Sequence, residues 1–359
     1  MIDAARPPHA RRWLERQLVQ LTFVRFREFV REPEALFWVF VFPILMAAGL
    51  GVAFRSKPAS TVTVAVVERR GAPDGGVAKV LAQDKAIIVR ELPEAQAREA
   101  LRNGKVMLVA IRDSAGVVTY RYDPANEESR LARMTFNDAL MRAAGRADPL
   151  TAVDEHITEP GSRYIDFVVP GLLGMNLLGS GVWGLGFALV DMRRRKLLKR
   201  FVATPMSRPQ FLLSFILSRL GLLVLEVAAL IGFGVLAFHV PLRGPLWVLA
   251  FVCVLGSLCF SGLGLLISSR VRTMEGASGL MNAAMLPMWI LGGVFFSSSK
   301  FPALMQPLVQ ALPLTAVNNA LRANMLEGAS LSAMVPELAT IAAWAVLCFS
   351  LALRLFRWK

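Results

Sequence analysis

The sequence predicts a mainly α-helical polytopic membrane protein of six transmembrane helices, with a small α/β extracytoplasmic domain inserted after the first. Three observations predict it. The chain is 55% hydrophobic and 18% charged, with a mean hydropathy of +0.51, whereas charged residues make up about a quarter of an ordinary soluble domain. Six apolar runs reach the roughly 20 residues that cross a hydrocarbon core. They are Ala35–Phe54, Phe167–Val190, Phe211–Phe238, Pro245–Ile267, Ala277–Phe296 and Ala333–Leu353. Between the first two lies Arg55–Arg163, a mixed-charge stretch holding 17 basic and 15 acidic residues.

In chain order, residues 1–34 read as a cytoplasmic arm, 35–54 as the first span, 55–163 as the outer domain and 164–359 as a five-helix transmembrane domain. Within the arm, a helix over Arg12–Arg31 puts Leu14, Leu18, Leu21 and Phe29 on one side and Arg12, Arg16, Arg27 and Arg31 on another. Such a helix lies in the membrane interface. More than thirty residues precede the first span, too many for the usual n-region of a signal peptide, so the span reads as an uncleaved anchor. Pro33 suits its first turn, and Pro43 within it predicts a kink.

In the outer segment, Thr61–Glu68 (TVTVAVVE), Ile87–Glu91 and Val106–Arg112 have strand character. Pro93–Asn103 and Glu127–Ala144 are rich in helix formers and are followed by Gly104 and Gly145, the usual C-terminal stops. Strands alternating with helices predict a small α/β unit, and about 100 residues suffice to bury a core. The apolar stretch Phe301–Pro313, broken by prolines and too short to cross, predicts a re-entrant or interfacial hairpin within 297–332.

Charge sets the orientation. The net charge of +14 would suit a nucleic-acid binder if it lay on a soluble surface, but it is concentrated beside the apolar runs. The arm holds seven Lys and Arg from Arg6 to Arg31, and the loop after the second span holds seven from Arg193 to Arg208. Arg270, Arg272, Arg354, Arg357 and Lys359 fall on the same side. The opposite side has only Arg243, Lys300 and Arg322 outside the large domain. By the positive-inside rule both termini are cytoplasmic, and the expected partner is lipid, with no nucleic acid.

Catalytic constellations are missing from the sequence. His9, His156 and His239 are the only histidines and show no metal-ligand spacing, and no G-x-S-x-G or G-x-x-x-x-G-K-[ST] occurs. Gly71–Gly76 starts the latter spacing, but Val77 and Ala78 follow. Cys253, Cys259 and Cys348 all sit in apolar runs and read as small hydrophobes. Four polar residues fall inside spans: Asn176, Arg219, Glu226 and Asn282. They face either a path or relay, or structural hydrogen bonds between helices, or, for Arg219 and Glu226 on one helix, a pair that satisfies itself at a kink.

The loop after the second span, DMRRRKLLKRFVATPMSRPQFLL, sets Leu197, Leu198, Phe201 and Val202 among Arg and Lys before Thr204 and Pro205. A positive-inside anchor explains the charge. An exposed apolar knob with charged flanks is what a docking helix presents to a soluble partner's groove. Here the sequence resembles the permeases of the type-2 ABC exporter family, the subgroup with a large domain after the first span. RKLLKRFVATPMSR resembles the coupling segment of that family. LPMWILGGVFFSSSKFPALMQPLVQALPLTAVNNALR resembles its outer hairpin, with Gly292, Gly293, Phe295, Phe296, Phe301, Pro302, Leu312, Pro313, Leu314, Thr315 and Arg322 at the matching places.

The resemblance implies a chain that pairs with a second permease subunit and with a cytoplasmic ABC ATPase dimer, which binds ATP and Mg, leaving no cofactor on this chain. It implies a bacterial cytoplasmic (inner) membrane location. It also implies that Arg194, Arg195, Lys196, Leu197, Leu198, Phe201, Val202, Thr204 and Pro205, within loop 191–210, carry ATPase coupling. The family's segment commonly has acidic residues and a glycine near its start. This one is nearly all cationic there, which predicts an acidic groove on the partner. A membrane receptor or assembly scaffold is the competing reading; a polytopic enzyme lacks its catalytic set.

Overall fold

A computed structural model describes residues 19–54 (except 21, 25 and 28), 61–68, 81, 86–113, 117–146, 161, 163–196, 208–271 and 273–355. The chain divides into two units, Met1–Arg55 with Ile157–Lys359, and Ser56–His156.

Helix α1, Pro33–Ala53, is the first apolar span. Its regular winding is interrupted by a π turn, Phe37–Val41, in which Phe42 N donates to Phe37 O. Pro43 follows at once, so the irregularity expected at that proline lies in the turn before it.

The Ser56–His156 unit is built on a four-stranded sheet, β1 (Val62–Glu68), β2 (Ile87–Glu91), β3 (Leu108–Arg112) and β4 (Val118–Arg121), in the order β2-β1-β3-β4. β1 runs parallel to both β2 and β3, and β4 closes antiparallel on β3. Helices α2 (Glu94–Arg102) and α3 (Glu127–Ala143) pack against it. The period of two along β1 sorts its side chains. Val62, Val64 and Val66 pack with Ala132 and Phe136 of α3, while Ala65 and Val67 pack with Ala97 of α2. A central parallel strand covered on both faces is apolar on both faces, and the stretch 64–67 is. Asn126 caps α3 by accepting from Glu128 N and Ser129 N. Gly104 and Gly145 take φ +67° and +87° after the two helices, as their stop positions require.

The other unit is helical. After α1 come α4 (Tyr164–Arg194), α5 (Arg208–Phe238), α6 (Leu246–Ser268), α7 (Met274–Leu291), α8 (Gln306–Ala311), α9 (Pro313–Glu327) and α10 (Val335–Leu355). Among the described residues five helices, α1, α4, α5, α6 and α10 with its preceding 3-10 turn, are long and apolar enough to cross a membrane. The sixth expected span differs. α7 has 18 residues, is diluted by Glu275, Asn282 and Pro287, and ends at Leu291 rather than Phe296. Gly293 there turns into the left-handed region at φ +70°, and the side chains of Asn318 and Arg322 hold the carbonyls of Gly292 and Gly293, so the helix cannot continue.

α4 is the hub. It packs on α1, α5, α6, α7 and α9. Its approach to α6 is close: a Cβ on Gly264 would stand 2.7 Å from Val182 O, and one on Gly186 would stand 3.0 Å from Gly264 O. Small residues that let backbones meet are how helices associate where solvent gives no hydrophobic drive. Cys253, Cys259 and Cys348 are buried and unbridged.

Candidate functional site

The polar side chains of the helical unit gather at three levels along α4. At its N-terminal end, the buried carboxylate of Asp166 accepts from Gly161 N (2.8 Å), from Arg163 N (3.2 Å) and from both Nε and Nη2 of Arg163 (2.9 and 2.8 Å). Arg163 Nη2 also donates to His239 O at the end of α5 (3.1 Å). The carboxylate beside it raises the Arg163 pKa above its ordinary value. At the next residue, the Arg322 guanidinium of α9 lies 3.6 Å from the Phe167 ring centroid. Its Nε donates to Phe167 O at 3.2 Å and its Nη2 donates to Gly293 O. Asn318 Nδ2, one turn earlier on α9, donates to Gly292 O (2.7 Å). Tyr164 Oη donates to Phe295 O (2.9 Å). Four side chains thus fasten the 292–295 turn and α9 to the start of α4.

In the middle of α4, Asn176 Nδ2 donates to Val39 O of α1 (3.1 Å), and Ser180 Oγ donates to Asn176 O (2.6 Å). Ser180 Oγ also stands 3.1 Å from Glu226 Oε2 and accepts from Arg219 Nη2 of α5. Arg219 forks onto both carboxylate oxygens of Glu226 at 2.8 and 3.0 Å. The Glu226 side chain has no exposed surface and that of Arg219 is 11% exposed. A charge inside an apolar bundle persists only when paired and hydrogen-bonded, and this pair is both.

At the C-terminal end, Arg193 Nη1 donates to Ser268 O and Val271 O, both at 2.8 Å, tying the end of α4 to the end of α6. Arg194 is the last residue of α4. Arg195 pairs with Asp191 at 2.8 Å, and Lys196 takes φ +55°. A left-handed residue does not continue a right-handed helix, so α4 stops before it. Leu197, Leu198, Phe201, Val202, Thr204 and Pro205 lie outside the described residues, as do Arg12, Leu14, Arg16, Leu18 and Leu21. Of the arm, Arg27 is helical with its guanidinium 4.9 Å over the Phe23 ring.

The structure therefore brings Asn176, Arg219 and Glu226 into one cluster, and leaves Asn282 apart, exposed on α7. Phe301 stacks against Phe296 at 5.9 Å, and its carbonyl accepts from Gln306 Nε2 (2.8 Å). Pro302 opens a 3-10 turn and Pro313 opens α9. Ser180, Val39, Phe167, Asp166 and the Arg193 tie were missed in the sequence. The i,i+3 Arg163–Asp166 spacing at a helix start was a readable signal for one of them. A backbone carbonyl partner such as Val39 O leaves no residue-type signature.

A bundle of apolar spans whose interior polar groups bind one another is that of a multi-pass membrane protein. The chain belongs to the ABC-2 transporter family: the family described as "ABC-2 family transporter protein" matches residues 33–354. Among characterised proteins it is similar to the probable multidrug ABC transporter permease YbhS of Escherichia coli strain K12, 28% identical over 165 residues, 45% of this chain and 41% of that protein. It is similar to the inner membrane transport permease YadH of the same strain, 24% identical over 161 residues, 43% of this chain and 60% of that one. It is also similar to ABC transporter G family member 20 of Dictyostelium discoideum, 26% identical over 207 residues, 57% of this chain and 28% of that one. The matched stretches span from 28% to 60% of these relatives' lengths.

Proposed function

We propose that this chain is the membrane-spanning subunit of an ATP-driven exporter in a bacterial cytoplasmic membrane, with both termini cytoplasmic. It works as a dimer and is driven by a separate cytoplasmic ATPase dimer that binds ATP and Mg. The observation that carries the reading is α4. Its 31 residues extend about 46 Å at 1.5 Å per residue, well beyond the roughly 30 Å hydrocarbon core. One end is fastened to the 292–295 turn, and the other runs directly into the basic loop and is fixed to α6 by Arg193. A push on the loop therefore has a continuous rigid element along which to travel.

Leu197, Leu198, Phe201 and Val202 supply the apolar knob for a groove on the ATPase, and the surrounding cations supply steering toward an acidic rim. The interfacial helix of the arm, Arg12 to Arg31, lies against the same side of the membrane. The α7 face supports the dimer. Gly279, Asn282, Ala283 and Leu286 are exposed there, and nothing stands within 4 Å of a Cβ on Gly279. A mid-helix asparagine turned to lipid is costly, whereas a second subunit or a wet path between subunits satisfies it. The multidrug label of the YbhS relative favours a small amphiphilic cargo. The test is ATP hydrolysis by the co-reconstituted ATPase: this chain should stimulate it, and Phe201→Asp should abolish stimulation while the protein stays in the membrane. Unchanged stimulation would remove the docking assignment.

A further inference from the structure

Asn176 occupies a place that the sequence of α1 creates. In an α-helical register the Val39 carbonyl would accept from the N–H of residue 43, and residue 43 is a proline without one. Inside a bilayer a carbonyl freed by proline needs a local rearrangement, an ordered water or a donor on a neighbouring helix. Asn176 Nδ2 is that donor, at 3.1 Å. Pro43 itself is buried, and the π turn Phe37–Val41 lies directly before it.

The donor is in turn held in place. Ser180, one helical turn on and on the same face of α4, donates to the Asn176 carbonyl, and its oxygen accepts from Arg219 of α5, with Glu226 Oε2 3.1 Å away. Both Glu226 oxygens accept from Arg219, so the pair carries no net charge and its fork is spent on its own partner and on Ser180. This is the wiring of a brace. Arg219 Nε has no hydrogen-bond partner but is buried in the bundle, whereas a relay or cargo site would leave a carboxylate oxygen or a guanidinium edge facing a path.

We propose that Asn176 is a positioning residue that fixes the broken turn of α1 against α4, and that the Arg219–Glu226 pair is the clamp that aims it. The turn sets the direction of the half of α1 that follows the arm. Through Asn176, therefore, movement of α4 is passed to the arm. The inference rests on the exporter reading for its consequence in transport, but the brace is testable without it.

The test is a double-substitution cycle on Asn176→Leu and Pro43→Ala in the full chain, read in two ways. Pro43→Ala supplies the missing N–H to the Val39 carbonyl and leaves the Phe42-to-Phe37 bond as it is. Asn176→Leu alone should lower the thermal unfolding midpoint in detergent and cut ATP hydrolysis by the co-purified ATPase several-fold. With Pro43→Ala added, both should recover, because the carbonyl no longer needs Asn176. A double variant no better than the sum of its parts overturns the proposal. So does a midpoint that falls and recovers while hydrolysis never changes, since Asn176 would then be structural only. If no ATPase co-purifies, the exporter reading fails, and the cycle in the midpoint alone decides whether the brace exists.

Discussion

The two units solve opposite problems with the same side chains. In Ser56–His156 the sheet buries Val64, Leu108 and Phe136, while its ion pairs, such as Arg121–Glu94 and Asp138 with Arg142 and Arg146, lie at the surface. In the helical unit Leu236, Val346 and Leu353 stand exposed, and the Arg219–Glu226 pair is inside. The first arrangement answers to water and the second to hydrocarbon. The difference identifies which polar groups carry specificity. In water a surface pair is worth little. Inside a bundle an ion pair tolerates no loss of either partner.

The largest way to break that contrast is Glu226→Leu, which strands the Arg219 charge. Loss of one partner of a buried pair costs about 3–5 kcal/mol, so the unfolding midpoint should collapse. Arg219→Leu added to it should restore most of the loss. If the double variant is as unstable as the single one, the pair is not a self-contained brace.

A mirrored substitution sharpens the comparison at the next level. Leu347→Asp places a charge on the exposed apolar side of α10, and insertion of Asp at the centre of a span costs about 2.5–3.5 kcal/mol. Met134→Asp, on the exposed side of α3, should change stability by no more than about 0.5 kcal/mol. Membrane yield reads the first, and thermal melting the second. Equal effects at the two sites would mean that one of these exposed faces has been assigned to the wrong solvent.

The smallest effect belongs to Asp138. Hydrogen bonds from Arg146 and Arg142 hold its pKa below the ordinary value of 3.8. A carboxylate depressed in the folded state stabilises above that value, and its contribution is lost as pH falls through it toward the lower folded pKa. Asp138→Asn should therefore leave stability at pH 7 almost unchanged and remove a slight acid sensitivity below about pH 4. A large loss at neutral pH would show that this surface pair behaves like the buried one.

Much of this was legible in the sequence because it is periodic. Twenty-residue apolar runs, the alternation of TVTVAVVE and the Gly104 and Gly145 stops all report local preferences that tertiary structure did not override. The Arg219–Glu226 pair was legible too, since two turns of one helix bring seven-apart residues within reach. The end of α7 was not. Its apolar run continues to Phe296, and only the grip of Asn318 and Arg322 on the 292–293 carbonyls, from a helix about 26 residues away, stops it at Leu291. Asn176 and Asn282 looked alike, each a lone asparagine in a span. What separates them is that α1 has a proline-freed carbonyl opposite the first, while the second faces out of the subunit.

The most direct measurement is a detergent pull-down from native membranes with this chain as bait, followed by identification of the co-purifying proteins and an ATP hydrolysis assay. The account predicts an ATP-hydrolysing subunit that is retained by the natural sequence and lost on Phe201→Asp. A well-folded chain that brings down no ATPase would contradict it.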